Sequence, residues 1–227
     1  MKAWKKYGFE FLSIFVAVVL AFALNNWNDN RRDRVAESKI LSEIYHGLEK
    51  DLIDIDVNIG GHRDGISAAR YFTAYLKGEE VKTDSLFPHY ARLTRDFVCI
   101  QNVSGYENLK SRGLELIRDD SLRNSIISLY EYDFNTLRKV EEEYDELQFF
   151  DNYFPTFNRL IAPHIIFDEN NNLVGLENDI NLDEAEIRQI SSLLIRMIFN
   201  RNFTIGYYEE VKLKIASLRE EIETFLE

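Results

Sequence analysis

The sequence predicts an all-α protein: one N-terminal transmembrane helix followed by an elongated helical bundle with long antiparallel helices, and at most one small β-hairpin near residues 165–175. Three observations carry this. From Tyr7 to Leu24 the chain reads YGFEFLSIFVAVVLAFAL, an apolar density that no later stretch matches. Two long segments, from Leu41 to Leu76 and from Ile187 to Phe225, repeat apolar residues at steps of three and four, the period of a helix with one buried face. Only 3 prolines and 10 glycines among 227 residues leave few turns, which argues against a sandwich of short strands. The expected organisation is an anchor over residues 1–30 and one soluble helical domain over 31–227.

The apolar stretch, at 1.5 Å per residue, is roughly 27 Å long and so matches the hydrocarbon core of a bilayer. Its rival explanation is a cleaved secretory signal: Lys2, Lys5 and Lys6 form a basic start, and Ala21-Phe22-Ala23 has the small-x-small form of a cleavage site. Glu10, inside the apolar core of such a signal, favours the uncleaved anchor. Lys5, Lys6 and Trp27 then stand at the two interfaces, where basic and aromatic side chains anchor a span. Arg31, Arg32 and Arg34 follow the span and nearly balance the lysines. The lysines lie closer to the membrane, so the positive-inside rule leans towards a cytoplasmic N-terminus and a soluble body outside.

Glu10, Ser13, Ala17 and Ala21 are spaced three, four and four apart and fall on one stripe of the span. Small residues at that spacing let two membrane helices approach closely, and a carboxyl group beside them needs a partner out of lipid. The stripe is therefore expected to pack against another helix. The alternative is that Glu10 only pairs with Lys6 or snorkels to the interface.

The same residues carry a resemblance. Gly8, Glu10, the apolar run, Ala21 and Asn25-Asn26-Trp27-Asn28-Asp29, with the middle stretch SGYENLKSRGLELI from Ser104 to Ile117, resemble an uncharacterised bacterial family of single-span membrane proteins. Members have a Gly-Glu pair early in the helix and an Asn-Asn-Trp-Asn-Glu/Asp exit followed by basic residues. This chain departs from that pattern by Phe9 between Gly and Glu and by Asp29 in place of the commoner Glu. The resemblance implies a single-pass protein of the bacterial cytoplasmic membrane with its soluble domain in the periplasm. It carries over no activity.

With Lys2, Lys5, Lys6 and Glu10 set aside, the chain has 24 basic and 38 acidic residues, a net charge of −14. Such a body is repelled by nucleic acid and by anionic lipid. The single cysteine, Cys99, rules out an intramolecular disulfide. Placed among Phe97, Val98 and Ile100, it is expected to be a buried, inert thiol.

Along the body, one helix is expected from about Arg34 to Lys77, continuous with the span and kinked at Gly60-Gly61. A short helix from Ser85 to Ile100 follows, capped by Thr83 or Asp84, with Pro88 in its first turn. Another, Ser104 to Arg112, ends at Gly113. A long helix capped by Asp119 or Asp120 is expected from Ser121 to about Phe154, stopped by Pro155. The last runs from about Glu184 to Phe225, with Gly206 as a kink.

No cofactor or catalytic motif stands out. His46, His62, His89 and His164 are scattered and form no metal-binding pair on a helix. Asp168, Asn170, Asn172 and Asp179 loosely follow a calcium loop, but Leu173 holds the position that needs glycine, and a solvated turn is expected instead. Asp51 and Asp54 share a helix face expected to point to water. Phe149, Phe150, Tyr153, Phe154 and Phe157 are expected in a core, with a ligand or partner pocket as the alternative.

The expected function is thus a non-enzymatic, membrane-anchored helical scaffold or accessory protein. It would self-associate as a homo-oligomer or dock onto a membrane complex, with the lipid bilayer as its other partner and no cofactor or metal. The alternative is an extracytoplasmic ligand-sensing bundle acting through a partner.

Overall fold

The computed structural model describes residues 2–82, 85–177 and 181–227, with side chains from residue 7 onwards. Thr83, Asp84, Asp179 and the side chains of Lys5 and Lys6 lie outside the described residues. The described residues are 81% helical with a single two-stranded sheet, which places the protein in the all-α class.

Helix α1 runs from Lys2 to Leu76, 75 residues, or about 110 Å at 1.5 Å per residue. Residues 7–35 of it are all exposed, and burial begins at Glu37. The boundary expected at residue 30 therefore lies inside one helix. Beyond it Leu41, Ile44, Leu48, Ile55 and Ile59 keep the helical period and are buried. Against this half lies α7 (Glu184–Leu226), antiparallel, as Glu49–Arg219, Asp56–Lys212 and Arg63–Glu209 pairs show. Asp183 opens α7 with a capping box: its carboxylate accepts the Glu186 N–H at 2.8 Å, and Glu186 Oε2 accepts the Asp183 N–H at 3.1 Å.

Between these two helices the chain adds α2 (Leu86–Leu93), α3 (Ser104–Arg112), α4 (Asp120–Ile127), α5 (Phe134–Glu142) and α6 (Phe149–Ile161). Gly113, at φ 103°, ends α3 as expected, and Asp119 caps α4 by accepting the Leu122 N–H at 2.8 Å. Strands β1 (Ile165–Phe167) and β2 (Leu173–Leu176) pair antiparallel, so the expected hairpin is present. Its turn is built by Asp168, which accepts the N–H groups of Asn170 and Asn172 at 2.8 Å each, with Asn171 at φ 60°.

Three expectations are corrected. The helix beginning near Ser85 stops at Leu93, and Arg95–Val103 is an irregular connector. The single helix from Ser121 to Phe154 is in fact three pieces. A π-helical turn at Ser128–Asp133 joins α4 to α5, and a break with a 3-10 turn at Asp145–Leu147 separates α5 from α6. Pro155 lies inside α6 and does not stop it. The break falls earlier because α6 is capped from a distance: the Asp96 carboxylate accepts the Phe149 and Phe150 N–H groups at 2.7 and 3.2 Å. As expected, α1 runs as one helix through Gly60-Gly61. Gly61 and Gly65 are seats: a Cβ on Gly61 would stand 2.1 Å from the Phe97 ring, and one on Gly65 2.4 Å from the Arg201 guanidinium.

Two apolar clusters result. A proximal core joins Ile40 to Ile59 of α1 with Leu109, Ile126, Leu137, Tyr208, Ile215 and Ile222. A distal core joins Ala68, Ala69 and Phe72 with Leu93, Phe157 and Leu194. His62 and Arg201 sit between them, buried at 2% and 0% exposure.

Gly60 and Gly65 give opposite expectations. Gly60→Ala meets open space and adds helix propensity, so it is expected to raise stability by about 0.5–1 kcal/mol. Gly65→Ala collides with a pinned guanidinium and is expected to cost about 1–3 kcal/mol. Urea midpoints of the two variants in nonionic detergent check both signs.

Candidate functional site

The densest gathering of charged side chains inside the bundle surrounds the connector Arg95–Val103. The connector is partly buried, with Cys99 enclosed, and having no neighbouring strand it has its inward backbone groups met by side chains. Three carboxylates meet its donors. Glu141 Oε1 on α5 accepts the Cys99 N–H at 2.9 Å, Asp54 Oδ2 on α1 accepts that of Ile100 at 2.9 Å, and Asp51 Oδ1 accepts that of Asn102 at 2.7 Å. The Tyr208 hydroxyl of α7 donates to the same Glu141 oxygen. Expected to face water, Asp51 is in fact 1% exposed. The charge pattern of α1 cannot reveal this, because the partner is a backbone N–H some fifty residues away.

The carbonyl side belongs to Arg201. Its Nη2 donates to the Leu93 and Arg95 carbonyls at 2.7 and 3.0 Å, and its Nη1 lies 3.1 Å from His62 Nδ1. The guanidinium carbon stands 3.9 Å from the centre of the Phe149 ring, a cation–π contact in a desolvated place. Rings of Phe97, Phe149 and Tyr208 surround His62 at 5.3, 6.1 and 5.7 Å.

Burial sets the electrostatics. It drives the His62 pKa down to about 3, with the Arg201 charge adding to the effect, so His62 is neutral and its Nδ1 accepts from Arg201. Burial lowers Arg201 to about 10, which leaves it cationic at neutral pH. Burial raises Asp51 to about 6 and Glu141 to about 7, although the N–H groups and the Tyr208 hydroxyl pull the other way. The Cys99 thiol, 4% exposed, is pushed up by burial, so it is the inert thiol that its apolar neighbours predicted.

The residues singled out in the sequence fall in three places. Glu10, Ser13, Ala17 and Ala21 lie exposed along α1, with the Ser13 hydroxyl donating to the Glu10 carbonyl at 2.8 Å. They belong to a stretch of mean hydropathy 2.2, none of it buried, long and apolar enough to cross a membrane; Trp27 beyond it is 63% exposed. Tyr153 and Phe157 fill the distal core, while Phe150 and Phe154 stack on each other at its edge with centroids 4.9 Å apart. Among the described residues no three His, Cys, Asp or Glu side chains converge as metal ligands. The connector's partners, Arg201, Glu141 and Asp51, were not legible as a set. The one available signal was an arginine at a core position of the α7 stripe, between Met197 and Tyr208.

The chain matches no protein-family model, no curated protein and no solved structure.

The raised carboxyl pKa values make an unusual pH dependence. A carboxyl that holds its proton more tightly when folded stabilises the fold below its folded pKa, and that stability is lost as pH rises through it. For Glu141 the window runs from its ordinary 4.5 to about 7, and for Asp51 from 3.8 to about 6. His62 acts oppositely, losing stability as pH falls below 6.5. Between pH 5 and 6 the two carboxyls outweigh the one imidazole, and as pH rises past 6.5 the opposing share of His62 fades and Glu141 prevails. The urea midpoint is therefore expected to fall from pH 5 to pH 7.5, and to fall less in Glu141→Gln.

Proposed function

We propose that this protein is a single-pass, membrane-anchored, non-enzymatic helical scaffold that self-associates or docks onto a membrane complex. The observation that carries this reading is the continuity of α1: one helix holds the exposed apolar stretch at one end and half of the bundle core at the other. A rigid connection of that kind transmits position from a membrane to a body outside it. The titratable groups around the connector support a structural role, because Asp51, Asp54, Glu141 and Arg201 are engaged in holding backbone. A ligand-sensing bundle would need Phe150, Tyr153, Phe154 and Phe157 to line one pocket; Phe157 packs in the distal core, and the hollow that Tyr153 borders is lined otherwise by Asp145, Glu146, Asn152 and Arg196.

In this proposal the Glu10, Ser13, Ala17 and Ala21 face packs against another membrane helix. The resemblance described above is consistent with a bacterial cytoplasmic membrane and a periplasmic body. Light scattering of the full-length protein in detergent tests the packing face. Glu10→Ala is expected to lower the mass of the oligomer while far-ultraviolet circular dichroism stays unchanged. An assembly of unchanged mass would remove the role assigned to Glu10.

A further inference from the structure

We propose that the membrane-proximal end of the body carries a lipid headgroup site, in which Arg31, Arg34 and Arg118 hold the phosphate of an anionic phospholipid. The site rests on the anchoring proposed above. Trp27, Arg31 and Arg34 follow one another at steps of four and three, so they lie on one stripe of α1, and both arginines are exposed. The third guanidinium comes from the body. Arg118, exposed in the loop between α3 and α4, donates from Nη2 to the Asn30 carbonyl and to Asn30 Oδ1 at 3.3 and 3.4 Å. Glu37 Oε1 holds the loop there by accepting the Arg118 N–H at 2.8 Å. Arg34 is one helical turn on from Asn30, so the loop brings a third cation beside the stripe.

The nearby carboxylates do not cancel this charge. Asp29 and Asp33 each stand two residues from Arg31 and so point to the other side of α1. Glu115 and Asp120 both pair with Arg123, at 3.4 and 2.7 Å, and Asp119 caps α4. Among the described residues no carboxylate lies within ion-pair distance of the Arg31, Arg34 or Arg118 guanidinium groups. Glu223 and Glu227, at the end of α7, border Ser42 and His46 of α1. That level is roughly 22 Å past Trp27, well beyond the screening length of about 8 Å at physiological salt.

The arginines stand at the height of the headgroups. A tryptophan at the end of a span sits in the interfacial layer. Asn30 to Arg34 lie roughly 5–10 Å beyond Trp27 along the axis, and helical side chains lean towards the N-terminus, here towards the bilayer. Guanidinium forks match phosphate oxygens two at a time, through hydrogen bonds stronger than those of neutral donors. With Nη2 committed to Asn30, Arg118 presents Nε and Nη1.

Vesicles mixed from phosphatidylglycerol and phosphatidylcholine, with one or the other lipid brominated in its chains, test the site through quenching of Trp27 fluorescence. The full-length protein carries Trp4→Phe, so that Trp27 is its one tryptophan. Phosphatidylglycerol is expected to quench about fivefold more strongly than phosphatidylcholine at equal fraction, the equivalent of the about 1 kcal/mol that one arginine contributes near an anionic surface. R31Q, R34Q and R118Q are each expected to reduce this preference, and together to abolish it. R32Q removes an equal charge at the same height on another side of α1 and is expected to leave it. Equal quenching by the two lipids would overturn the site, as would a preference that R118Q leaves intact or that R32Q reduces as much. Far-ultraviolet circular dichroism checks that R118Q folds; if it does not, R31Q and R34Q against R32Q decide the outcome. Protein that does not float with the vesicles would overturn the anchor and the site together, whereas floating protein without the preference would overturn the site alone.

Discussion

A backbone segment with no strand beside it leaves its polar groups to side chains or water, and the connector Arg95–Val103, partly buried with only Cys99 fully enclosed, places that demand against α1, α5 and α7. An N–H shut off from water, as at Cys99, would cost about 1–3 kcal/mol if unmet, a large share of a domain's net stability. The fold answers with charge. Asp51 and Asp54 from α1 and Glu141 from α5 take the donors, and Arg201 from α7 takes two carbonyls. Because these partners come from three separate helices, the connector fixes the distances among them. Arg201 has no carboxylate within ion-pair distance among the described residues, and its charge is balanced by carbonyl dipoles and the Phe149 ring.

The same junction divides the body. Apolar packing on either side is continuous, but between Ile59 and Ala68 on α1 and between Met197 and Tyr208 on α7 the buried set includes His62, Arg201 and Thr204. A polar layer across two long helices fixes their register, since sliding by one turn would strand the guanidinium against apolar side chains. Gly65 belongs to this device: only a residue without a side chain leaves room for Arg201 over α1. The rigidity of the long helix pair follows from register and core together.

The sequence made legible what repetition encodes. The stripes of α1 and α7, the apolar end of α1, the Gly113 stop, the Asp119 cap and the hairpin turn at Asp168 all depend on residues within a few positions of one another. What escaped depends on distance. The connector reads as a continuation of α2 because Phe97, Val98, Cys99 and Ile100 form an apolar run, and nothing local shows that Glu141 will receive the Cys99 N–H. The break before α6 is invisible for the same reason, since its cap is Asp96, more than fifty residues away in sequence. Asp51 and Asp54 looked solvated because a carboxylate pair on a helix ordinarily is.

The central claim is that charged side chains, and not a second strand, hold the connector rigid. Hydrogen exchange of the full-length protein in detergent reads this directly at the Cys99, Ile100 and Asn102 amides. These three amides are predicted to exchange as slowly as those in the buried turns of α1 and α7. Exchange as fast as in the exposed turn at Asn170–Asn172 would contradict the account, because it would show the carboxylate contacts to be dispensable.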